Sequence, residues 1–173
     1  MKIGANKIIC ALDFDNISKA EDFIGSINYD IIYKIGMEFF YSFGLEGISK
    51  IRSLKKNIKL FLDLKLHDIP NTVAKSIYPL VTKIKPYMLT LHVSGGKKML
   101  QESVAMVNKT SMQYDIQKPL LLGVTVLTSL NSEDFKEMGY SVLIEDCVKN
   151  FSNIAKKANL DGVVCSPLEV KLV

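Results

Sequence analysis

Nearly continuous apolar segments recur along the chain and alternate with amphipathic ones. Continuous hydrophobicity is typical of strands that are covered on both faces of a parallel sheet. Six such segments predict strands over residues 7–13, 31–35, 59–65, 87–93, 119–126 and 160–165.

The segments between these runs place hydrophobic residues at helical spacing. They predict helices over residues 18–27, 71–84, 96–108 and 142–158. Ser18 and Glu21 have the spacing of a capping box at the start of the first helix, and Pro70 suits the first turn of the second. Residues 108–118 are interpreted as a polar connection.

The predicted order of elements is βαβαβαβαβ(αα)β, which implies consecutive right-handed βαβ units. Such units form either a doubly wound sheet or a (βα)8 barrel. Residues 12–15, Leu-Asp-Phe-Asp, stand where a dinucleotide-binding fold has its glycine-rich loop, and this favours the barrel. Because the chain ends at Val173 after six predicted strands, we expect a single α/β domain over residues 1–173, a TIM-type (βα)8 barrel that is incomplete at its C-terminus.

Composition narrows the class of protein. The chain has 173 residues, of which 48% are hydrophobic, enough for one domain with a sizeable core. The net charge of +4 is spread along the chain, which argues against nucleic-acid binding. The first apolar run is too short for a signal peptide or a membrane span, so we expect a soluble, cytoplasmic protein with no membrane partner. Cys10, Cys147 and Cys165 are widely spaced, which predicts free thiols.

Charged residues interrupt the third apolar run and follow it. Asp63 and Lys65 are two residues apart, so in an extended strand they project from one face as neighbours. Asp68 comes next, on the predicted loop at the C-terminal end of the strand. Since charges are costly to bury unless they are paired, this cluster predicts chemistry at the strand ends.

Asp13 and Lys34 lie at the ends of the first two predicted strands. In a barrel these ends converge, so we expect both residues within a few ångströms of Asp63, Lys65 and Asp68. A lysine between carboxylates keeps its proton, because nearby negative charge favours the ammonium form. Such a cation suits a reaction in which negative charge develops on a substrate carbon that is then protonated, as in decarboxylation. The flanking carboxylates argue against the neutral Schiff-base lysine of an aldolase.

Structural explanations stay open for several of these residues. Asp68 could be a helix cap, and Lys34 could extend its ammonium group to the surface. His67 and His92 are better explained as structural than as catalytic, since no adjacent nucleophile needs them. Thr128 suits either ligand contact or the cap of the helix that follows it.

The ten-residue block 63–72, Asp-Leu-Lys-Leu-His-Asp-Ile-Pro-Asn-Thr, closely resembles the signature of the orotidine 5'-phosphate decarboxylase family. That family makes UMP from orotidine monophosphate in pyrimidine synthesis. The resemblance extends along the chain in the family's order. Individually weaker matches lie at residues 11–13, 33–36, 91–96, 126–129 and 164–167.

The resemblance implies a role for each matching residue. Lys65 is expected to stabilise and protonate the C6 carbanion, with Asp63 against the departing carboxylate. Lys34 is expected to link the substrate ribose to the charge network, and Asp13 to bind a ribose hydroxyl. The remaining expected substrate contacts, the first two of which lie against the pyrimidine, are Leu127, Thr128, Ile69, Asn71, Thr72 and Pro167.

The resemblance also implies a homodimer, in which Asp68, Ile69 and Thr72 reach into the neighbouring subunit's site. It implies no metal and no cofactor. The family continues through two further strands that carry a Gly-Arg pair and a glutamine for the substrate phosphate, and the sequence ends before them. Arg52, the only arginine, cannot be carried onto that role.

Two alternatives remain. Related barrels that share D-x-K-x-x-D act on phosphosugars and hold Mg²⁺ through carboxylates, although residues 67–72 favour the nucleotide enzyme. A non-catalytic remnant that keeps the dimer surface is the second alternative.

Overall fold

Six parallel strands form one sheet in which spatial order equals sequence order, β1 to β6. The structure is a computed structural model that describes residue 4 and residues 7–173. The strands are β1 (Ile9–Ala11), β2 (Ile32–Gly36), β3 (Lys59–Leu66), β4 (Met88–His92), β5 (Leu120–Val124) and β6 (Gly162–Val164). All six predicted strands are confirmed.

The strand order decides between the two architectures that the sequence left open. A doubly wound sheet reverses its strand order at a switch point, whereas a barrel adds each strand beside the previous one. Here every strand pairs in parallel with its successor in sequence. The fold is therefore α/β and of the TIM-barrel type, an open arc with β1 and β6 at its edges in the part of the chain described.

Helices follow the strands and cover the sheet. They are α1 (Ile17–Ser26), α2 (Met37–Leu54), α3 (Pro70–Pro79), α4 (Gly96–Tyr114), α5 (Ser132–Glu137) and α6 (Ile144–Lys157), with a π-helical turn over Leu80–Ile84. The core contains fully buried strand residues such as Leu60, Leu62, Leu89 and Leu91, which explains why the strands are apolar on both faces. As the sequence predicts, Pro70 begins α3.

Two predictions about the helices are wrong in detail. The capping box at Ser18 and Glu21 does not form, because Asn16 is the N-cap of α1 and its side chain accepts a hydrogen bond from the Ser18 N–H. Residues 108–118 are not simply a connection, since α4 continues to Tyr114. Its buried face continues through Thr110 and Ser111, hydroxyl residues that make the segment look polar in sequence.

The cysteines are free, as predicted, and Cys147 is buried. Across residue 4 and residues 7–173, none of the helices is both long enough and apolar enough to cross a membrane.

Candidate active site

Four charged side chains lie together at the end of the sheet where β1, β2 and β3 have their carboxyl ends. Asp13 follows β1, Lys34 lies within β2, and Asp63 and Lys65 lie near the end of β3. The register aligns Ala11 with Lys34. Parallel strands run in the same direction, so their carboxyl ends lie on the same side of the sheet and residues distant in sequence meet there. This end of the sheet is termed the mouth.

Asp63 is the centre of an alternating charge network. The Lys65 Nζ atom lies 2.9 Å from Asp63 Oδ2, and the Lys34 Nζ atom lies 3.6 Å from the same oxygen. Lys34 Nζ is also 3.8 Å from Asp13 Oδ1. The Asp63 side chain is only 13% exposed, whereas that of Asp13 is 65% exposed. Two cations around one shielded carboxylate offset the cost of its burial.

Lys65 has an unusual backbone. Its φ angle is +48°, in the left-handed region that non-glycine residues seldom occupy. The register between β3 and β4 shifts over the same stretch, because Leu62 aligns with Leu89 but Leu66 aligns with Leu91. Lys65 therefore lies in a β-bulge, and the premise of a regularly extended strand is wrong here. The side chains of Asp63 and Lys65 nevertheless meet.

Opposite the bulge, Thr90 of β4 contacts both residues. Its Oγ1 accepts a hydrogen bond from the Lys65 N–H at 2.9 Å and donates one to Asp63 Oδ1 at 3.0 Å. Thr90 is fully buried. Thr90 is not among the residues predicted from the sequence, although a threonine between two apolar residues of a buried strand was an available signal.

The two histidines lie beside the network, with ring centroids 5.4 Å apart. Partial burial lowers the pKa of His92, and the nearby His67 and Lys65 lower it further, while Asp63 opposes the change. The lowered pKa favours the neutral form of His92.

The structure does not bring Asp68 into the network. Its side chain is exposed and forms no ion pair within the described ranges, and its Oδ1 accepts a hydrogen bond from the Ile69 N–H at 2.6 Å. Because Ile69 is itself the N-cap residue of α3, Asp68 is not the helix cap either. Ile69, Asn71 and Thr72 are exposed at the start of the same helix.

The other predicted substrate contacts also follow strand ends. Leu127 and Thr128 are exposed in the turn after β5, and Pro167 is exposed just after β6. Thr128 does not cap α5, since Asn131 does so in a capping box with Asp134.

The amino-acid sequence is similar to a known family of proteins along most of its length. A family model described as "Orotidine 5'-phosphate decarboxylase / HUMPS family" matches residues 6–172. The chain is 42% identical over 169 residues to an orotidine 5'-phosphate decarboxylase of Wolbachia sp. subsp. Brugia malayi, covering 97% of this chain and 71% of the relative. It is 38% identical over 171 residues to a protein of the same name from Carboxydothermus hydrogenoformans, covering 98% and 69%.

A solved structure of a protein with the same name has a similar fold. The crystal structure of orotidine 5'-phosphate decarboxylase from Lactobacillus acidophilus matches with a TM-score of 0.85 at 34% identity. The match covers 95% of this chain and 74% of that one.

Proposed function

The chain belongs to the orotidine 5'-phosphate decarboxylase / HUMPS family, and from that premise we propose that it decarboxylates orotidine 5'-phosphate to UMP in pyrimidine biosynthesis. The observation that carries the proposal is the shielded Asp63 carboxylate between two ammonium groups, with Lys65 Nζ at 2.9 Å. The curated relatives described above carry the name of the decarboxylase.

In the proposed reaction, the bond between C6 and the substrate carboxylate breaks and CO₂ leaves. The electron pair stays on C6, where the Lys65 ammonium stabilises it and then transfers a proton to the carbon. The resulting neutral amine regains its proton from solvent. Asp63 lies on the side of the departing carboxylate, so their repulsion is relieved as CO₂ forms. The paired lysines supply the positive charge that the carbanion requires.

The proposal also gives roles to the residues that surround Asp63 and Lys65. Lys34, 3.6 Å from Asp63, connects the ribose to the network, and the exposed Asp13 carboxylate binds a ribose hydroxyl. Leu127 and Thr128 contact the pyrimidine from the turn after β5. Contacts proposed for the rest of the substrate are Ile69, Asn71, Thr72 and Pro167.

A homodimer forms part of the same proposal. Asp68 forms no ion pair with its own network within the described residues and is exposed, as is Ile69, a residue that is 65% exposed. An exposed carboxylate and an apolar neighbour at the mouth suit residues that complete the site of a second copy.

The test is the loss of orotidine monophosphate absorbance on addition of the purified chain in the presence of EDTA. We expect turnover that EDTA does not reduce, because the site carries its own cations. Turnover of a phosphosugar that EDTA abolishes, without turnover of the nucleotide, would replace this proposal with the Mg²⁺-dependent alternative. A folded dimer without either activity would support the non-catalytic remnant.

A further inference from the structure

We propose that Thr90 is a positioning residue that holds Asp63 and Lys65 in their reactive arrangement through one hydroxyl group. The inference rests on the proposed function for its kinetic consequence, but its structural content concerns the β-bulge alone. Thr90 lies in β4, 25 residues from Lys65 and 27 from Asp63 along the chain.

The bulge takes the Lys65 N–H out of the regular strand ladder, and Thr90 supplies a hydrogen-bond acceptor for it. Between the pairs Leu62–Leu89 and Leu66–Leu91, β3 contains three intervening residues whereas β4 contains only Thr90. The regular ladder is interrupted there, and a buried backbone N–H without a partner is strongly disfavoured. The Thr90 hydroxyl oxygen accepts the Lys65 N–H at 2.9 Å and so takes the place of a strand carbonyl.

The same hydroxyl orients the carboxylate. A hydroxyl group has one proton to donate and lone pairs to accept with. The Thr90 proton is donated to Asp63 Oδ1 at 3.0 Å, which leaves Asp63 Oδ2 directed at both lysine ammonium groups. Because Thr90 has no exposed surface, water cannot readily replace either hydrogen bond.

These two contacts fix both ends of the Asp63–Lys65 pair. The Lys65 backbone is held at a φ of +48°, a conformation that this residue would otherwise leave readily. The carboxylate is held against rotation. The 2.9 Å separation between Lys65 Nζ and Asp63 Oδ2 therefore depends on an atom that belongs to neither residue.

Thr90→Val tests the inference, since valine keeps the shape of threonine and removes only the hydroxyl. We expect kcat to fall about tenfold to hundredfold with a smaller change in KM, because Lys65 acts mainly in the transition state. Thr90→Ser retains the hydroxyl and is expected to restore most of kcat. Thr110→Val is the matched control: Thr110 is also buried, but it lies in α4, where its hydroxyl donates a hydrogen bond to Met106 Sδ at 3.6 Å.

A second measurement does not depend on activity. Amide hydrogen exchange at Lys65, followed by NMR, reports directly on the N–H that Thr90 accepts. We expect this amide to be protected in the unmodified chain and in Thr90→Ser, and to exchange at least about tenfold faster in Thr90→Val. Thr110→Val is expected to leave it protected.

The outcomes separate this inference from the proposed function. If the unmodified chain does not decarboxylate the nucleotide, the proposed function fails, and Lys65 exchange decides the role of Thr90 by itself. Unchanged exchange in Thr90→Val overturns the inference, as does unchanged kcat in an active enzyme or a failure of Thr90→Ser to restore kcat. If Thr90→Val does not fold, rapid Lys65 exchange in the unmodified chain or in Thr90→Ser overturns it.

Discussion

The mouth of the sheet and its opposite end both gather positive charge, but they use it differently. At the mouth, two lysines converge on the shielded Asp63 carboxylate. At the opposite, basal end, where β3, β4 and β5 begin, a cavity of about 460 Å³ has more cations than the mouth. The cationic residues lining this basal cavity are Arg52, Lys56, Lys59, Lys85 and Lys118.

Most of the basal cations have structural partners. Arg52 donates hydrogen bonds to the carbonyl groups of Ile84 and Lys85, where the π-helical turn ends. Lys59 Nζ lies 5.2 Å from the centre of the Tyr87 ring. Cations at helix C-termini satisfy free carbonyl groups and the negative end of the helix dipole.

Lys118 also has a partner, since its Nζ lies 3.5 Å from Asp161 Oδ1. At the basal end, the cations thus bind carbonyl groups at a helix end and stabilise the neighbouring loops. The mouth instead holds a shielded carboxylate between two cations, next to a bulge that keeps Lys65 in the strained left-handed region. The pairing of opposite charges within a shielded site, rather than the number of charges, distinguishes the candidate active site from the basal end.

The largest expected effect is at the mouth. Lys65→Ala should reduce kcat by at least about 10³-fold, because the group supplies both the stabilising charge and the proton. Lys56→Ala removes a basal cation and should leave kcat unchanged. Steady-state kinetics measures the rates, and circular dichroism checks that both variants are folded. Near-normal kcat in Lys65→Ala would remove Lys65 from the mechanism.

Asp68 allows a test of whether the active site is shared between two subunits. Lys65→Ala and Asp68→Ala are each expected to be inactive alone. Mixed subunits should regain part of the activity, because a heterodimer contains one site with both an intact Lys65 and an intact Asp68. Activity is measured after the two variants have been unfolded together and refolded. Inactivity of verified heterodimers would show that the site is not shared.

At the basal end, Arg52→Ala should affect stability rather than rate. The loss of its hydrogen bonds to two backbone carbonyls is expected to lower the free energy of unfolding by about 1–3 kcal/mol. Urea denaturation measures this change, and kcat per folded molecule should stay constant. A reduced kcat at unchanged stability would show that the basal end takes part in catalysis and would contradict its structural role.

The smallest effect concerns the pH dependence of stability at the mouth. Burial, together with the charges of His67 and Lys65, lowers the pKa of His92 below 6.5. Between that lowered pKa and about 6.5, the unfolded chain binds more protons, so stability falls as the pH is lowered through this window. Above it, His92 contributes no pH dependence.

His92→Gln should therefore lose less stability than the unmodified chain between pH 7 and about 5. Thermal denaturation at several pH values measures the difference. His67→Gln keeps the His92 ring and removes only one of the contributions to its lowered pKa, so it should retain part of the pH dependence. Identical pH dependence in His92→Gln and the unmodified chain would contradict the assignment.

The strands and the main charge cluster could be predicted from the amino-acid sequence. Strands buried on both faces must be apolar throughout, so six apolar runs were sufficient to place all six. Asp13, Lys34 and Asp63 were predictable as neighbours because parallel strands end at one edge. Local pattern was less reliable at the end of α4, where buried Thr110 and Ser111 resemble loop residues in sequence.

The contacts that hold the site in place could not be predicted, because they form between strands that are distant in sequence. The bulge at Lys65 arises from the register between β3 and β4, and register depends on contacts between strands rather than on the local sequence. The role of Thr90 follows from that register, because its partners lie 25 and 27 residues away. Asp68 was expected within the network, yet in the turn before α3 it is exposed and its Oδ1 accepts a hydrogen bond from the Ile69 N–H instead. Local periodicity specifies which residues are buried, whereas the pairing of distant segments specifies which atoms meet.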